Sequence, residues 1–131
     1  TLPDDAARFA TECGVDALAL SIGNVHIQQE KAAELDIATL RAIEVVTNVP
    51  LVIHGGSGVP VGTRSFLAKE SKVCKFNIGT ELRMAFGNAL RTAVNQDPNR
   101  FDRVTILKET ENPVQLAAQQ VIRAFGAPAQ R

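Results

Sequence analysis

Two histidines are the residues of this chain best suited to bind a metal ion. His26 and His54 are the only histidines among its 131 residues, and each follows an apolar segment with the length of a β-strand. Imidazoles at neighbouring strand ends can share one zinc ion and leave coordination positions for substrate oxygens. Two unrelated histidines in loops or in the core would give the same count. The histidines alone therefore leave a metal site and a structural role both open.

Two glycine-containing segments could bind an anion. Gly55-Gly-Ser-Gly58 directly follows His54, and Asn77-Ile-Gly-Thr80 opens a strongly amphipathic predicted helix. Glycines let backbone amides approach a phosphate, the Ser57 hydroxyl adds a donor, and the positive end of a helix attracts negative charge. A flexible loop is the favoured interpretation of a glycine-rich segment like the first one taken alone, and its place between a strand and a helix strengthens the anion-binding alternative. A helix cap made by Thr80 would explain the second segment.

One lysine and two cysteines have alternative interpretations. Lys75 lies on a predicted strand, where a Schiff-base nucleophile is conceivable, but a phosphate-neighbouring or salt-bridged lysine is the favoured interpretation. Cys13 and Cys74 do not form a disulfide framework and are expected to be small buried apolar residues. Such cysteine usage predicts a reducing, cytoplasmic location.

The overall composition argues against several classes of partner. Fourteen basic and 14 acidic residues give a formal net charge of zero, and the chain has neither Trp nor Tyr. A neutral chain without stacking aromatics offers little to nucleic acid or to an anionic membrane surface. No apolar run approaches the roughly 20 residues that span a bilayer. The composition therefore predicts neither nucleic acid nor a membrane as a partner.

The elements that must position these residues alternate along the chain. Alternating helices and strands predict an α/β fold with a parallel sheet covered by helices. Three strands of this kind cannot close a barrel and would leave exposed edges, which suggests part of a larger fold. The predicted helices are a first one ending at Gly14 and others at 32–47, 60–70, 80–94 and around 114–125, and the predicted strands are 15–22, 50–56 and 73–78.

The alternation of side chains within each strand separates two faces. Leu18, Leu20 and Ile22 share one face of the first predicted strand, opposite small residues. In the third strand, Lys75 and Asn77 oppose a bulkier set. A bulky face suits packing against helices, and polar groups on the other face near the strand ends suit the interior of a (β/α)8 barrel.

Three ordered segments resemble the second half of the class II fructose- and tagatose-bisphosphate aldolases. They are residues 14–26, residues 50–60 and residues 75–83, and the resemblance extends over essentially the whole chain. It implies the C-terminal part, about three βα units, of a (β/α)8 TIM barrel, which as a whole needs about 250 residues. Residues 1–131 would then be the C-terminal portion of one aldolase barrel domain whose N-terminal half is absent.

The resemblance implies specific roles for site residues. His26 and His54 would be two of three zinc-ligating histidines, and Asn77 would contact the substrate near the reacting carbons. A monovalent cation is implied near the phosphate. The catalytic aspartate and the third histidine would belong to the missing half. The residues implied to hold a substrate phosphate are Gly55, Ser57, Gly79 and Thr80.

The implied activity is reversible, zinc-dependent aldol cleavage of a ketose 1,6-bisphosphate to dihydroxyacetone phosphate and glyceraldehyde 3-phosphate. Zinc would act as a Lewis acid on the ketone and hydroxyl oxygens. The implied protein is a cytoplasmic glycolytic lyase and a homo-oligomer, dimeric or tetrameric. The 131-residue chain alone is expected to be inactive, because one ligand and the base are missing. Fructose and tagatose bisphosphates are not distinguished.

One departure from the family pattern supports an alternative. After the second-ligand histidine the family carries a glycine, whereas this chain has Ile27. A branched side chain there would alter the approach to the phosphate loop, so a divergent, non-catalytic barrel that binds zinc or sugar phosphate is the second hypothesis. The third is an unrelated small α/β domain, which predicts a self-contained sheet.

Overall fold

A computed structural model of the chain describes residues 1–24, 27 and 32–126. Within this part the elements follow the predicted order, and each strand is shorter than the apolar run that predicted it. The helices are α1 (Pro3–Cys13), α2 (Ile37–Val46), α3 (Val61–Glu70), α4 (Thr80–Gln96) and α5 (Arg103–Ala124), and the strands are β1 (Leu18–Leu20), β2 (Leu51–Ile53) and β3 (Val73–Phe76).

The described residues fall into two compact units. The first lies within Thr1–Ile78 and holds the sheet with α1, α2 and α3, and the second begins at Gly79 and holds α4 and α5. In the second unit, α4 and α5 pack against each other. No helix in the described ranges is long and apolar enough to cross a membrane.

The sheet is parallel, as predicted, with the strand order β1-β2-β3. Leu20 of β1 is in register with Ile53 of β2, which is in register with Phe76 of β3. The ladder between β2 and β3 has one irregularity, between Leu51 and Val52. Since parallel strands run the same way, the residues that follow all three strands leave the sheet at one edge.

The core of the first unit lies between one face of the sheet and the helices. Leu20 and Ile53 are fully buried together with Leu40 and Ile43 of α2. Burying a side chain of this size stabilises a fold by about 1.5–3 kcal/mol. The predicted face of β1 is thus the buried one. Val46, at the end of α2, is 43% exposed and lies outside this core.

The two ends of α1 follow local chemistry. Gly14 ends α1 in the left-handed conformation (φ 58°), as predicted. Leu2 occupies the N-cap of α1, and the Thr1 hydroxyl instead accepts a hydrogen bond from the Ser21 amide at 2.9 Å. A residue whose side chain is engaged elsewhere cannot also cap the helix.

Helix α5 begins eleven residues earlier than the predicted position 114. The Asp102 carboxylate caps its first turn by accepting from the Val104 amide at 3.1 Å and the Thr105 amide at 3.4 Å. Pro113 lies inside the helix, where a proline ordinarily breaks the hydrogen-bond pattern. This proline is why sequence periodicity alone places the start too late.

The prediction that both cysteines are buried is wrong. Cys13 and Cys74 are exposed, free thiols. Cys13 lies at the C-terminal end of α1, and Cys74 lies on β3, which is an edge strand of the described sheet. An edge position leaves a side chain less covered than the apolar pattern of the strand suggests.

Candidate active site

The residues that follow the strands meet at the carboxyl edge of the sheet. His54 directly follows β2, and Asn77 directly follows β3. Beyond β1, the last described residue before His26 is Asn24, and His26 itself lies outside the described residues. The predicted convergence of chemistry-bearing residues is therefore seen for His54 and Asn77.

His54 and Asn77 form a side-chain pair. Asn77 Nδ2 lies 3.2 Å from His54 Nδ1 in a partly buried position. The backbone of Asn77 is fixed as well, because its amide donates to the Ile53 carbonyl at 2.9 Å. The amide oxygen and nitrogen of an asparagine exchange places when the group rotates by half a turn, so Asn77 can face either tautomer of the imidazole. The ring of His54 is thus oriented by the residue that directly follows the next strand.

An oriented imidazole is a good but partial match to a zinc site. Zinc ligands of this type usually have the second ring nitrogen bonded to another group, which fixes the ring and its tautomer. His54 has such a partner in Asn77. In the described part of the chain, no group of three or more His, Cys, Asp and Glu residues could hold a metal ion. His54 therefore fits zinc as one member of a ligand set, not as a complete site.

The segment after His54 is an ordered turn. Residues Gly56–Gly58 form a 3-10 turn that starts from Gly55 in the left-handed conformation (φ 59°). The Gly58 amide donates to the Gly55 carbonyl at 3.0 Å, and the Val59 amide donates to the Gly56 carbonyl at 3.2 Å. Internal bonding of this kind argues against a freely flexible loop.

A buried arginine side chain donates a hydrogen bond to the backbone of this turn. Arg64 of α3 is fully buried, and its Nη2 donates to the Ser57 carbonyl at 2.9 Å. Ser57 is itself buried at 5% exposure. Sequence reasoning missed Arg64, because nothing in its spacing distinguishes it from the surface charges of a helix.

The second glycine of the turn is required by close packing. A Cβ on Gly56 would lie 2.9 Å from Ile78 Cδ1 and 3.2 Å from the Asn77 carbonyl oxygen. The Gly56 amide also donates to that carbonyl at 3.0 Å. Glycine here lets the end of β2 approach the end of β3, which brings His54 to Asn77. Neither anion binding nor loop flexibility, the two interpretations that the sequence offers for this segment, includes this packing role.

The remaining predicted phosphate-binding residues, Gly79 and Thr80, belong to the second unit. Gly79 occupies the N-cap of α4 and Thr80 is the first helical residue, with no side-chain cap. The alternative role of Thr80 as a helix cap is therefore wrong. The side chain of Arg83 lies over Gly79, so close that a Cβ there would be 2.5 Å from Nη2.

Asn24 contacts the backbone of His54, which the sequence did not reveal. Its Nδ2 donates to the Leu20 carbonyl at 3.0 Å and to the His54 carbonyl at 2.8 Å. Its Oδ1 accepts from the Ile22 amide at 2.7 Å. This last bond takes the Ile22 amide away from the neighbouring strand, which helps to explain why β1 ends early. An asparagine directly after a strand-ending glycine is the only signal that the sequence offers.

Ile27 has a backbone conformation that ordinarily requires glycine. Its φ is 60°, and its side chain is 76% exposed. A β-branched residue with a left-handed backbone is rare, since the conformation costs roughly 1–2 kcal/mol in an L-residue. Ile27 thus has a backbone conformation that a glycine, the residue expected there from the resemblance, would adopt without strain.

The chain belongs to the class II aldolase family. The sequence profile described as fructose-bisphosphate aldolase class-II matches residues 1–130. A 6-phospho-5-dehydro-2-deoxy-D-gluconate aldolase from Shouchella clausii is 36% identical over 124 residues, which are 95% of this chain and 42% of that protein. The third hypothesis, an unrelated small domain, is therefore wrong.

Solved structures agree with this assignment. The YdjI aldolase from Escherichia coli K12 is 29% identical and superposes with a TM-score of 0.76, over 98% of this chain and 46% of that one. A fructose-bisphosphate aldolase from Campylobacter jejuni shares the fold at 20% identity with a TM-score of 0.71, over 96% of this chain and 44% of that one. The chain thus spans less than half the length of these relatives, and its α/β fold is part of a TIM barrel, as predicted.

Proposed function

We propose that this chain is the C-terminal portion of a class II aldolase that reversibly cleaves a ketose 1,6-bisphosphate to dihydroxyacetone phosphate and glyceraldehyde 3-phosphate. The observation that supports it most strongly is the 3.2 Å contact between Asn77 and the ring of His54, at the carboxyl edge of the sheet. TIM-barrel enzymes build their active sites at that edge. The rest of the barrel, with a third histidine and the catalytic aspartate, would come from outside these 131 residues.

In this proposal each residue has a distinct task. His54 and His26 would ligate a zinc ion, which supplies Lewis acidity towards a carbonyl oxygen when it is bound. Asn77 would hold the His54 ring and contact the substrate. A monovalent cation near the phosphate belongs to the same proposal. The substrate phosphate would be bound by Gly55, Ser57, Gly79 and Thr80.

A phosphorylated sugar acid is a second candidate substrate, favoured by the 36% identity to the Shouchella clausii enzyme. In that relative's named substrate, a phosphate on C6 neighbours a ketone at C5, as the C1 phosphate neighbours the C2 ketone in a ketose 1,6-bisphosphate. Aldol cleavage breaks the bond between the carbons α and β to the ketone. Both substrates would therefore release dihydroxyacetone phosphate, and they differ only in the aldehyde produced.

The cellular setting is proposed on the same basis. A homo-oligomer, dimeric or tetrameric, located in the cytoplasm fits an enzyme of sugar-phosphate metabolism. The 131-residue chain alone would be inactive, because it lacks the base and one zinc ligand. The alternative is a divergent barrel that binds zinc and a sugar phosphate but does not cleave the sugar phosphate. Its main support is Ile27.

The test is an assay of dihydroxyacetone phosphate release by the full-length, zinc-loaded protein. The candidate substrates are fructose 1,6-bisphosphate, tagatose 1,6-bisphosphate and the 6-phospho-5-dehydro-2-deoxygluconate named above. We expect release from at least one of them, and a loss of about 10–100-fold or more in kcat/KM for His54→Ala and Asn77→Ala. Lys69→Ala, an exposed position on α3, is the control and should be neutral. Zinc binding without any release would instead establish the non-catalytic alternative.

A further inference from the structure

We propose that Asn24 is a positioning residue of the metal site, one that fixes the end of β1 against the backbone of His54. The inference rests on the proposed zinc site. It adds Asn24, a residue to which the family resemblance assigns neither a ligand role nor a catalytic role. Its basis is the set of three hydrogen bonds that a single side-chain amide makes in the structure.

The Asn24 amide group is fully used and almost fully buried. Both protons of Nδ2 are donated, to the carbonyls of Leu20 and His54, and Oδ1 accepts from the Ile22 amide, at distances of 2.7–3.0 Å. Asn24 is only 9% exposed. Hydrogen bonds in such a poorly solvated place are strong, and any partner that loses its bond is left unpaired at a cost.

These bonds join two stretches of chain that bear candidate ligands. Leu20 and Ile22 belong to β1 and its exit, and His26 follows Asn24 by two residues. The third partner is the backbone carbonyl of His54 itself, 2.8 Å from Asn24 Nδ2. Asn24 holds the main chain of His54, and Asn77 holds its ring. Ligand nitrogens of a metal site must be held to within about 0.5 Å, which is what such double support provides.

Position 24 requires a short side chain with two donated protons and one acceptor, which asparagine provides. Aspartate has the same shape and can still accept from the Ile22 amide, but it has no proton to donate. A carboxylate at position 24 would face the carbonyl oxygens of Leu20 and His54, acceptor against acceptor. Asn24→Asp therefore removes two bonds without a change in volume. Asn24→Ser, which keeps a short donor and acceptor, is a milder second variant.

The experiment measures zinc affinity and cobalt spectra on the full-length protein. Zinc dissociation constants come from competition with a chromogenic chelator, and the visible absorption of the Co²⁺-substituted protein reports the coordination geometry. Leu40→Ala is the matched control, because Leu40 is fully buried in the same unit but contributes to packing between α2 and the sheet. Circular dichroism identifies a temperature at which every variant is folded.

We expect Asn24→Asp to weaken zinc binding by at least 10-fold and to change the cobalt spectrum, Asn24→Ser to have a smaller effect in the same direction, and Leu40→Ala to change affinity less than 2-fold. Wild-type affinity in both Asn24 variants, or an equal loss in Leu40→Ala, would overturn the inference while leaving the zinc site intact. The wild-type and His54→Ala arms report on the proposed function separately. If the wild type binds no zinc, or His54→Ala binds it equally well, the zinc site and the role of Asn24 fall together.

Discussion

Gly23 offers a quantitative test of the geometry at the end of β1. Its φ is 100°, and a Cβ built on it would lie 2.4 Å from the backbone carbonyl oxygen of Glu34. A side chain costs roughly 1–2 kcal/mol in a left-handed backbone conformation. Forcing a rigid backbone atom aside adds about 1–3 kcal/mol. We therefore expect Gly23→Ala to lower the free energy of unfolding by about 2–5 kcal/mol.

Two other glycines separate the two contributions. Gly14 has a φ of 58° with open space around its Cβ position, so Gly14→Ala should cost only the conformational part, about 1–2 kcal/mol. Gly62 lies in α3 with no neighbour and no positive φ, so Gly62→Ala should stabilise by up to about 1 kcal/mol. The predicted order of stability is Gly62→Ala, wild type, Gly14→Ala and Gly23→Ala.

The assay is equilibrium unfolding in urea, followed by circular dichroism on the full-length protein. A change in the midpoint without a change in the slope reports a change in stability. A loss for Gly23→Ala no larger than that for Gly14→Ala would show that the Glu34 carbonyl does not crowd position 23. The turn that presents Asn24 would then be looser than the structure describes.

Two further substitutions test local features of the same unit. Ile27→Gly should raise the free energy of unfolding by about 1 kcal/mol in urea titrations, because glycine relieves the strain at φ 60°, and a loss of stability would contradict this. The pKa of Asp36 is lowered below its ordinary value of 3.8, first by the side-chain hydrogen bond from Thr39 and then by the Thr39 amide. The resulting stabilisation is complete above that value and is lost as the pH falls through the lower pKa of the folded state. Asp36→Asn should therefore flatten the stability profile at pH values below about 4, and an unchanged profile would contradict this.

The sequence predicts the order of elements well and their limits less well. Alternating periodicities give the parallel sheet, and the convergence of His54 and Asn77 follows because both residues directly follow neighbouring parallel strands. Strand limits fail where an apolar run continues into a turn: Ile22 is buried like a strand residue, but its amide bonds to Asn24. The hydrophobic periodicity of a strand predicts which face is buried, but it does not predict where the backbone hydrogen bonds to the next strand end.

The side-chain contacts of Asn24 and Arg64 and the exposure of Cys74 could be found only from the three-dimensional structure. Asn24 acts through bonds to a carbonyl 30 residues away, and Arg64 through a bond to Ser57. Such side-chain bonds to the backbone leave no periodic trace in a single sequence. The exposure of Cys74 depends on where the sheet has its edges, which strand composition does not encode.

The proposed zinc site at the carboxyl edge of the sheet is tested most directly by a crystal structure. The full-length protein is crystallised with zinc, and anomalous scattering is measured at the zinc absorption edge. We expect one strong anomalous peak about 2.0–2.1 Å from a ring nitrogen of His54 and at the same distance from a ring nitrogen of His26. Asn77 should remain beside the His54 ring. A zinc peak bound by neither histidine, or no peak in a folded and zinc-saturated crystal, would contradict the assignment of this edge of the sheet as an aldolase metal site.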